Sequence, residues 1–222
     1  EIGQAAEAGQ AAFECGWRDM PTGERTRLLR NLARRIDENV ETLAQLETRN
    51  VGKPIGDARW EADAGAKVFD YYAGAIGHLC GQTIPVARGG FDFTLRQPMG
   101  VIAAITPWNF PFLIACWKVA PALAAGNSVV LKPASLTPLT ALMLGQLAQE
   151  AGLPDGVLQV VPGSGSEAGN ALATHPLVRK IGFTGSTEVG ATIMKLAADD
   201  IKRVSLELGG KSPNIVFADA DW

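Results

Sequence analysis

Cysteine is scarce in this chain: Cys15, Cys80 and Cys116 are its three thiols, far apart and never in Cys-x-x-Cys spacing. An odd, dispersed set excludes a disulfide framework and a cysteine zinc site, so no metal centre is indicated, and it points to a reducing, cytoplasmic setting. Excess charge of one sign is lacking as well. Lys+Arg (20) and Asp+Glu (23) leave a formal net charge of −3, which removes the electrostatic footprint of a nucleic-acid partner. The densest basic run, Arg25 to Arg35, has helix-face spacing and reads as a solvated face. Long unbroken apolar runs are also missing. The one uncharged stretch, Met99 to Trp117, is interrupted by Thr106, Pro107, Asn109 and Pro111, which excludes a membrane-spanning helix there. Internal repeats and low-complexity tracts are absent. With 47% hydrophobic and 19% charged residues over 222 positions, the composition is that of a soluble globular protein of one large or two small domains.

What is present changes character along the chain. Residues 1–80 read as helices. Leu28, Leu29, Leu32, Ala33 and Ile36 form one apolar stripe, with Thr22 as N-cap; a second helix runs from Val40 to Asn50 and stops at Gly52 and Pro54. A third covers Ile55 to Leu79, with Trp60, Tyr71 and Tyr72 read as core. Over residues 81–98 the pattern turns to β, and Phe91–Arg96 alternates so that Phe91, Phe93 and Leu95 share a face of a strand that reaches toward another subunit. From residue 99 onward β and α alternate. Val101–Ile105, Ser128–Leu131, Val157–Val161, Lys180–Phe183, Arg203–Leu206 and Asn214–Phe217 read as short buried strands, with helices near 111–125, 138–151, 166–174 and 186–198. Thr137 caps the second of these, Pro138 takes its first turn and Gly152 ends it. The class is α/β, a doubly wound, mostly parallel sheet with an N-terminal helical segment and a protruding β element. The chain opens at Glu1 inside a helical pattern and stops at Trp222 soon after a strand, so it reads as a piece of something longer.

In an open parallel sheet ligands collect beyond the carboxyl ends of the strands. Here those ends carry Thr106-Pro-Trp-Asn-Phe-Pro111, Lys132-Pro-Ala-Ser135, Pro162-Gly-Ser-Gly-Ser-Glu-Ala-Gly169, Thr184-Gly-Ser-Thr-Glu-Val-Gly190 and Glu207. Glycines that follow a strand and open a helix suit a pyrophosphate, although the third glycine of the 163–169 run comes one place late for Gly-x-Gly-x-x-Gly, and tight turns account for the pattern equally. Lys132 suits ribose hydroxyls or a phosphate, or else a surface ion pair. Asn109, between Trp108 and Phe110 and flanked by prolines, is a held amide donor for an oxyanion, or else a turn asparagine. Glu207 ends an apolar run before Gly209-Gly210. In low-dielectric surroundings its pKa would rise and it would serve as a general base; alternatively it is a carboxylate satisfied by backbone N–H groups at a turn.

These strings, together with Leu206-Glu-Leu-Gly-Gly-Lys-Ser-Pro213, resemble the aldehyde dehydrogenase superfamily in order and spacing over essentially the whole chain, most closely the group acting on betaine, amino and simple aliphatic or aromatic aldehydes. The resemblance implies a Rossmann-like dinucleotide-binding domain formed by residues 1–80 and 99–222, an oligomerisation element at 81–98, and a homo-oligomer, dimer or tetramer. In that family a cysteine thiolate attacks the aldehyde, hydride passes to NAD or NADP, and water hydrolyses the thioester. By motif position Asn109 stabilises the oxyanion and Glu207 is the base. Ile105, Thr106, Pro107, Trp108, Lys132, Ser135, Gly165, Ser166, Phe183, Gly185, Ser186 and Leu208 contact the cofactor, and Phe110, Ile114 and Trp117 line the aldehyde tunnel.

Two departures qualify this. Where many NAD-preferring relatives carry a ribose-binding glutamate stands Ser135, which removes the repulsion a 2′-phosphate would meet, so NADP is tolerated or preferred. The family's nucleophilic cysteine lies downstream of the glutamate motif in a catalytic domain, and no cysteine follows Cys116. All three cysteines read as structural, and these 222 residues alone are expected not to oxidise aldehydes. The alternatives are a short dinucleotide-binding protein without catalysis, or a partner subunit that joins another chain through Phe91–Arg96.

Overall fold

A computed structural model of the chain describes residues 1–221. The N-terminal part is helical: α1 (Ile2–Ala12), α2 (Thr22–Glu38), α3 (Val40–Val51) and α4 (Ile55–Ala75). Between α1 and α2 the chain reverses at Gly16, whose φ of +120° a side chain would resist. That turn is clamped by Arg25, which is buried. Its Nη2 donates to the carbonyls of Trp17 (3.0 Å), Arg18 (3.1 Å) and Met20 (3.2 Å), and its guanidinium lies 5.4 Å from the Trp17 ring centroid. The solvated basic face therefore begins beyond Arg25, with Arg34 and Arg35 paired to Glu38 in water.

Helix α4 buries a stripe of small residues, Ala58, Ala62, Gly65, Ala66 and Ala73, around Phe69. Trp60 and Tyr71 are exposed, contrary to the sequence reading, whereas Tyr72 packs against the edge of the core as expected. The helix also ends at Ala75, four residues earlier than expected, in a single 3₁₀ turn over Ile76–His78. Two caps differ too. Thr22 is the first helical residue after an extended Pro21 and makes no cap bond. Thr137 Oγ1 is buried without a partner; the cap is supplied from a distance by Asn50, whose Oδ1 accepts from Leu139 N–H (3.3 Å) while its Nδ2 donates to Leu136 O (3.0 Å).

Residues 81–98 hold a short hairpin, β1 (Thr83–Ile84) against β2 (Asp92–Phe93), antiparallel and exposed on both faces. The expected strand over Phe91–Arg96 contracts to two residues because nothing among the described residues packs on it. The main sheet follows: β3 (Val101–Ile105), α5 (Pro111–Ala124), β4 (Ser128–Lys132), α6 (Leu139–Glu150), β5 (Leu158–Val160), α7 (Asn170–Thr174), β6 (Val178–Thr184), α8 (Thr187–Ala198) and β7 (Arg203–Glu207). All pairings are parallel in the order β5-β4-β3-β6-β7, so the chain works outward from β3 in one direction and then crosses to the other.

Alternation along the strands creates two cores. Ile102, Ala104, Val129 and Leu131 face α5, α6 and the α2–α4 layer, whereas Val101, Ala103, Ile105, Val130, Ile181 and Phe183 face α1, α7 and α8. Beyond β7 the expected strand Asn214–Phe217 does not form. No neighbouring strand meets that segment among the described residues, and Ile215, Val216 and Phe217 stand in solvent.

The approach of α5 to α4 is tested by two glycines of α4. A Cβ on Gly65 would meet Phe112 Cε1 at 2.5 Å and Cys116 Sγ at 3.1 Å, whereas one on Gly74 would meet nothing within 4 Å. Gly74→Ala should raise the urea midpoint by the equivalent of about 0.5–1 kcal/mol through helix propensity. Gly65→Ala should lower it by about 1–3 kcal/mol through overpacking. An unchanged or higher midpoint for Gly65→Ala would show that α4 and α5 are not in tight contact.

Candidate functional site

Strand register assembles the site. Ile105 is level with Lys132 on one side and Phe183 on the other, and Thr184 is level with Glu207. Thr106 N–H donates to Lys132 O (3.1 Å) and Gly185 N–H to Glu207 O (3.0 Å), so the loops leave the sheet side by side. They enclose a cleft of about 650 Å³ at the carboxyl edge, over the point where the chain order reverses between β3 and β6. Its walls are Ile105, Thr106, Pro107, Trp108, Asn109, Lys132, Ser135, Gly165, Phe183, Gly185, Ser186, Glu207 and Leu208, with Gly169, Val189 and Ile193 among the remainder. Ser166 is outside this lining, on the rim where its hydroxyl lies 3.4 Å from Ser164 Oγ.

The cleft is apolar in its walls and polar at a few points. Lys132 is 3% exposed; its Nζ donates to Pro133 O (2.8 Å), no carboxylate lies within ion-pairing distance among the described residues, and burial lowers its pKa. An ammonium buried without a counter-ion is suited to an electron-rich ligand. Ser135 Oγ donates to Gly163 O (2.9 Å), which ties the end of the Lys132 loop to the glycine-rich loop. The hydroxyls of Thr106 and Thr184 have no partner although both are buried. Ser186 caps α8, accepting from Val189 N–H (3.3 Å), and leaves that helix end facing the cleft. Gly185 is required because the Phe183 ring folds over it: a Cβ there would stand 2.5 Å from Phe183 Cζ. These features are compatible with a dinucleotide.

Asn109 and Glu207 share the same cleft. Asn109 lies in the bend at residues 108–110, and its amide makes no side-chain hydrogen bond among the described residues. Glu207 points to the α5 side with Ser205, while Val204 and Leu206 pack on the opposite core. Glu207 is exposed at the mouth of that cleft, and its carboxylate accepts no backbone N–H among the described residues. Its charge does reach Lys118, where it offsets part of the pKa lowering that burial, and then Lys180, impose.

The three expected tunnel residues are spread along the start of α5. Phe110 and Trp117 are exposed and Ile114 is buried; none lines the large cleft, and Trp117 borders a separate hollow of about 420 Å³ with Lys118, Gly182 and Ser205. Of the cysteines, Cys116 is buried and structural, its thiol pushed well above the usual range by burial and then by Glu61. Cys15 and Cys80 are exposed, and neither lines the cleft.

Sequence reasoning passed over a buried charge cluster behind the Asn109 loop. Glu47 and Glu61 occupy positions within the apolar stripes of α3 and α4, which is the signal that was available. Lys53 Nζ is paired with Glu61 Oε2, 3.7 Å from Glu47 Oε1 and 4.0 Å from the Phe110 ring centroid. Glu61 Oε1 accepts from Leu113 N–H (3.0 Å).

The family match extends over residues 1–222, to the family described as "Aldehyde dehydrogenase family". The chain belongs to the aldehyde dehydrogenase family. Human retinal dehydrogenase 2 is 50% identical over 225 residues, covering 100% of this chain and 43% of that protein. Two solved structures superpose closely: an NADP-dependent enzyme of E. coli (TM-score 0.94, 46% identity, 99% of this chain and 46% of that one) and the betaine aldehyde dehydrogenase of Staphylococcus aureus in complex with NAD+ (TM-score 0.93, 40% identity, 99% and 45%). The chain thus spans less than half the length of each of these three proteins.

Glu47 gives this family member a pH-dependent cost. Burial, then the charge of Glu61, raises its pKa from 4.5 to about 7, with Lys53 opposing. A raised carboxylate contributes stability that is full below the unfolded value and is lost as pH rises through the folded one. Glu47→Gln, which cannot ionise, should leave stability unchanged near pH 4.5 and raise it near pH 8.5, by up to the order of 3 kcal/mol. Equal effects at both pH values in urea unfolding would contradict the assignment.

Proposed function

We propose that this chain is the cofactor-binding portion of an NAD(P)-dependent aldehyde dehydrogenase that oxidises an aldehyde to a carboxylic acid. The observation that carries the reading is the convergence, in one cleft, of an uncompensated Lys132, a helix N-terminus at Ser186, the free amide of Asn109 and the carboxylate of Glu207. When bound, the dinucleotide supplies a hydride acceptor. Lys132 and Ser135 hold the ribose end, Gly165 and Ser166 the adenine side, and Gly185 with Ser186 the pyrophosphate, while Ile105, Thr106, Pro107, Trp108, Phe183 and Leu208 form the enclosing walls.

Asn109 Nδ2 donates to the oxygen that becomes negative when the aldehyde carbon is attacked. Glu207 takes the proton from the attacking group, and its place at the open edge lets it exchange that proton with water. The attacking thiolate is assigned outside residues 1–222, since Cys116 is buried and neither Cys15 nor Cys80 lines the cleft. These residues alone are therefore inactive. Phe110 and Trp117, exposed along α5 outside the cofactor cleft, form the apolar approach for the aldehyde, with Ile114 buried between them in sequence; the 81–98 segment joins subunits of a dimer or tetramer, and the setting is the cytoplasm.

Ser135 makes the reading specific. It places no negative charge beside the ribose, so NADP is accepted along with NAD. Ser135→Glu should weaken NADP+ by about 10-fold or more relative to NAD+, an effect of about 1.4 kcal/mol, measured by titration calorimetry. Equal loss for both dinucleotides would reject Ser135 as the discriminating position. In the full-length enzyme, Asn109→Ala should reduce kcat by about 10²–10³-fold with the dinucleotide Kd unchanged. Full turnover in that variant would remove Asn109 from the chemistry.

A further inference from the structure

Two buried ions and a third beside them occupy the junction of α3, α4 and α5. Glu61 is fully buried, Glu47 is 2% exposed and the Lys53 side chain 7%. Such a cluster is hard to explain by stability, because the desolvation of buried ions consumes most of what their attraction supplies, and apolar residues of similar volume do as well or better. What an ion pair offers instead is direction, and the direction here is toward one loop.

Helix α5 begins at Pro111 with Phe110 as its N-cap, and Phe110 has no side chain able to bond the free N–H groups of the first turn. The missing acceptor comes from α4: Glu61 Oε1 takes Leu113 N–H at 3.0 Å, a charge-assisted bond at the positive end of the helix. The other oxygen of the same carboxylate holds Lys53, whose ammonium sits 4.0 Å from the Phe110 ring centroid. The two contacts grip residues on either side of Pro111, immediately after Asn109. The loop's other end is fixed by Thr106 N–H on Lys132 O.

We infer that Glu61 and Lys53 are positioning residues that fix the Asn109 amide from behind, Glu61 through Leu113 N–H and Lys53 through the Phe110 ring. The inference rests on the reading of Asn109 as the oxyanion donor. A misplacement of about 1 Å at a reacting group costs up to about 10²-fold in rate, so the pair has a kinetic role without touching substrate.

The experiment is a double-mutant cycle in the full-length enzyme, with kcat, aldehyde KM and dinucleotide Kd measured for each variant. Glu61→Ala should lower kcat by about 10-fold or more with the Kd unchanged. Glu61→Gln, whose amide oxygen still accepts from Leu113 N–H, should restore most of it. In the Asn109→Ala background Glu61→Ala should cost less than about 3-fold, because the group it positions is gone. A loss of equal size in both backgrounds overturns the inference. Should Glu61→Ala fail to fold, the triple variant Glu47→Gln/Lys53→Met/Glu61→Leu removes the acceptor without leaving a buried ion unpaired. It should keep its melting temperature and still lose kcat, and wild-type kcat in a folded triple variant overturns the inference. Low kcat in Asn109→Ala with full kcat in the triple variant defeats the positioning role alone. Full kcat in Asn109→Ala defeats the oxyanion reading, and the positioning role with it.

Discussion

The parallel register between β3, β4 and β6 is the constraint on which the rest depends. Each strand sends its last residues into a different loop, and those loops converge only because Ile105, Lys132 and Phe183 are held level by ladder hydrogen bonds. A slip of one residue would exchange the two faces, sending Ile102 and Ala104 into the core built for Val101 and Ala103 and turning Lys132 away from the cleft. The register is enforced by volume as much as by hydrogen bonds. One face must accept Phe112, Leu123 and Leu144 and the other Leu172 and Ile193, and the small Ala103 and Ala104 leave room for helices that close.

Site chemistry is then a matter of what the helices do not cover. Lys132 lies at the end of a strand buried on both faces, so its stem is packed, and among the described residues its ammonium bonds Pro133 O alone. Glu207 ends the edge strand, where the α5 side of the sheet is open between Lys118 and Ser205. The same topology thus buries the charged residue at one strand end and leaves the one at another in solvent. On the proposed reading the first holds a ligand and the second serves as the base.

The strands of the parallel sheet and the strand-end loops were legible because buried parallel strands are nearly continuous apolar runs bounded by glycine and proline, and five of the six strands expected beyond residue 99 formed. The failures share a cause in tertiary context. Asn214–Phe217 has strand composition but no neighbour to pair with. Thr137 has the chemistry of a cap, yet Asn50, 89 positions before Leu139, does the work. Arg25 belongs to a basic run by spacing and is buried because the carbonyls of a turn eight residues upstream need donors. Trp60 and Tyr71 look like core by composition, but the close approach of α5 at Gly65 selects small residues for the buried face of α4. In each case the deciding partner is remote or is the shape of a neighbour, which local pattern does not encode.

The charge cluster behind Asn109 belongs to the same category, with a difference that bears on function. Helix periodicity puts Glu47 and Glu61 in apolar stripes, so sequence shows an inconsistency without its resolution. Local rules are broken where something other than stability is served. Here the breach stands next to the loop that, on the proposed reading, carries the oxyanion donor Asn109, and electrostatic stabilisation is effective only when its donors need no reorganisation. The proline at each end of that loop, Pro107 and Pro111, limits its backbone but does not fix where it sits relative to the sheet. That second degree of freedom is removed by Thr106 at the sheet and by Glu61 at the helix. An apolar contact in place of Glu61 would fill the space, yet it would leave Leu113 N–H without an acceptor and the loop free to slide along α4, because dispersion has little directional preference and a charge-assisted hydrogen bond has a strong one.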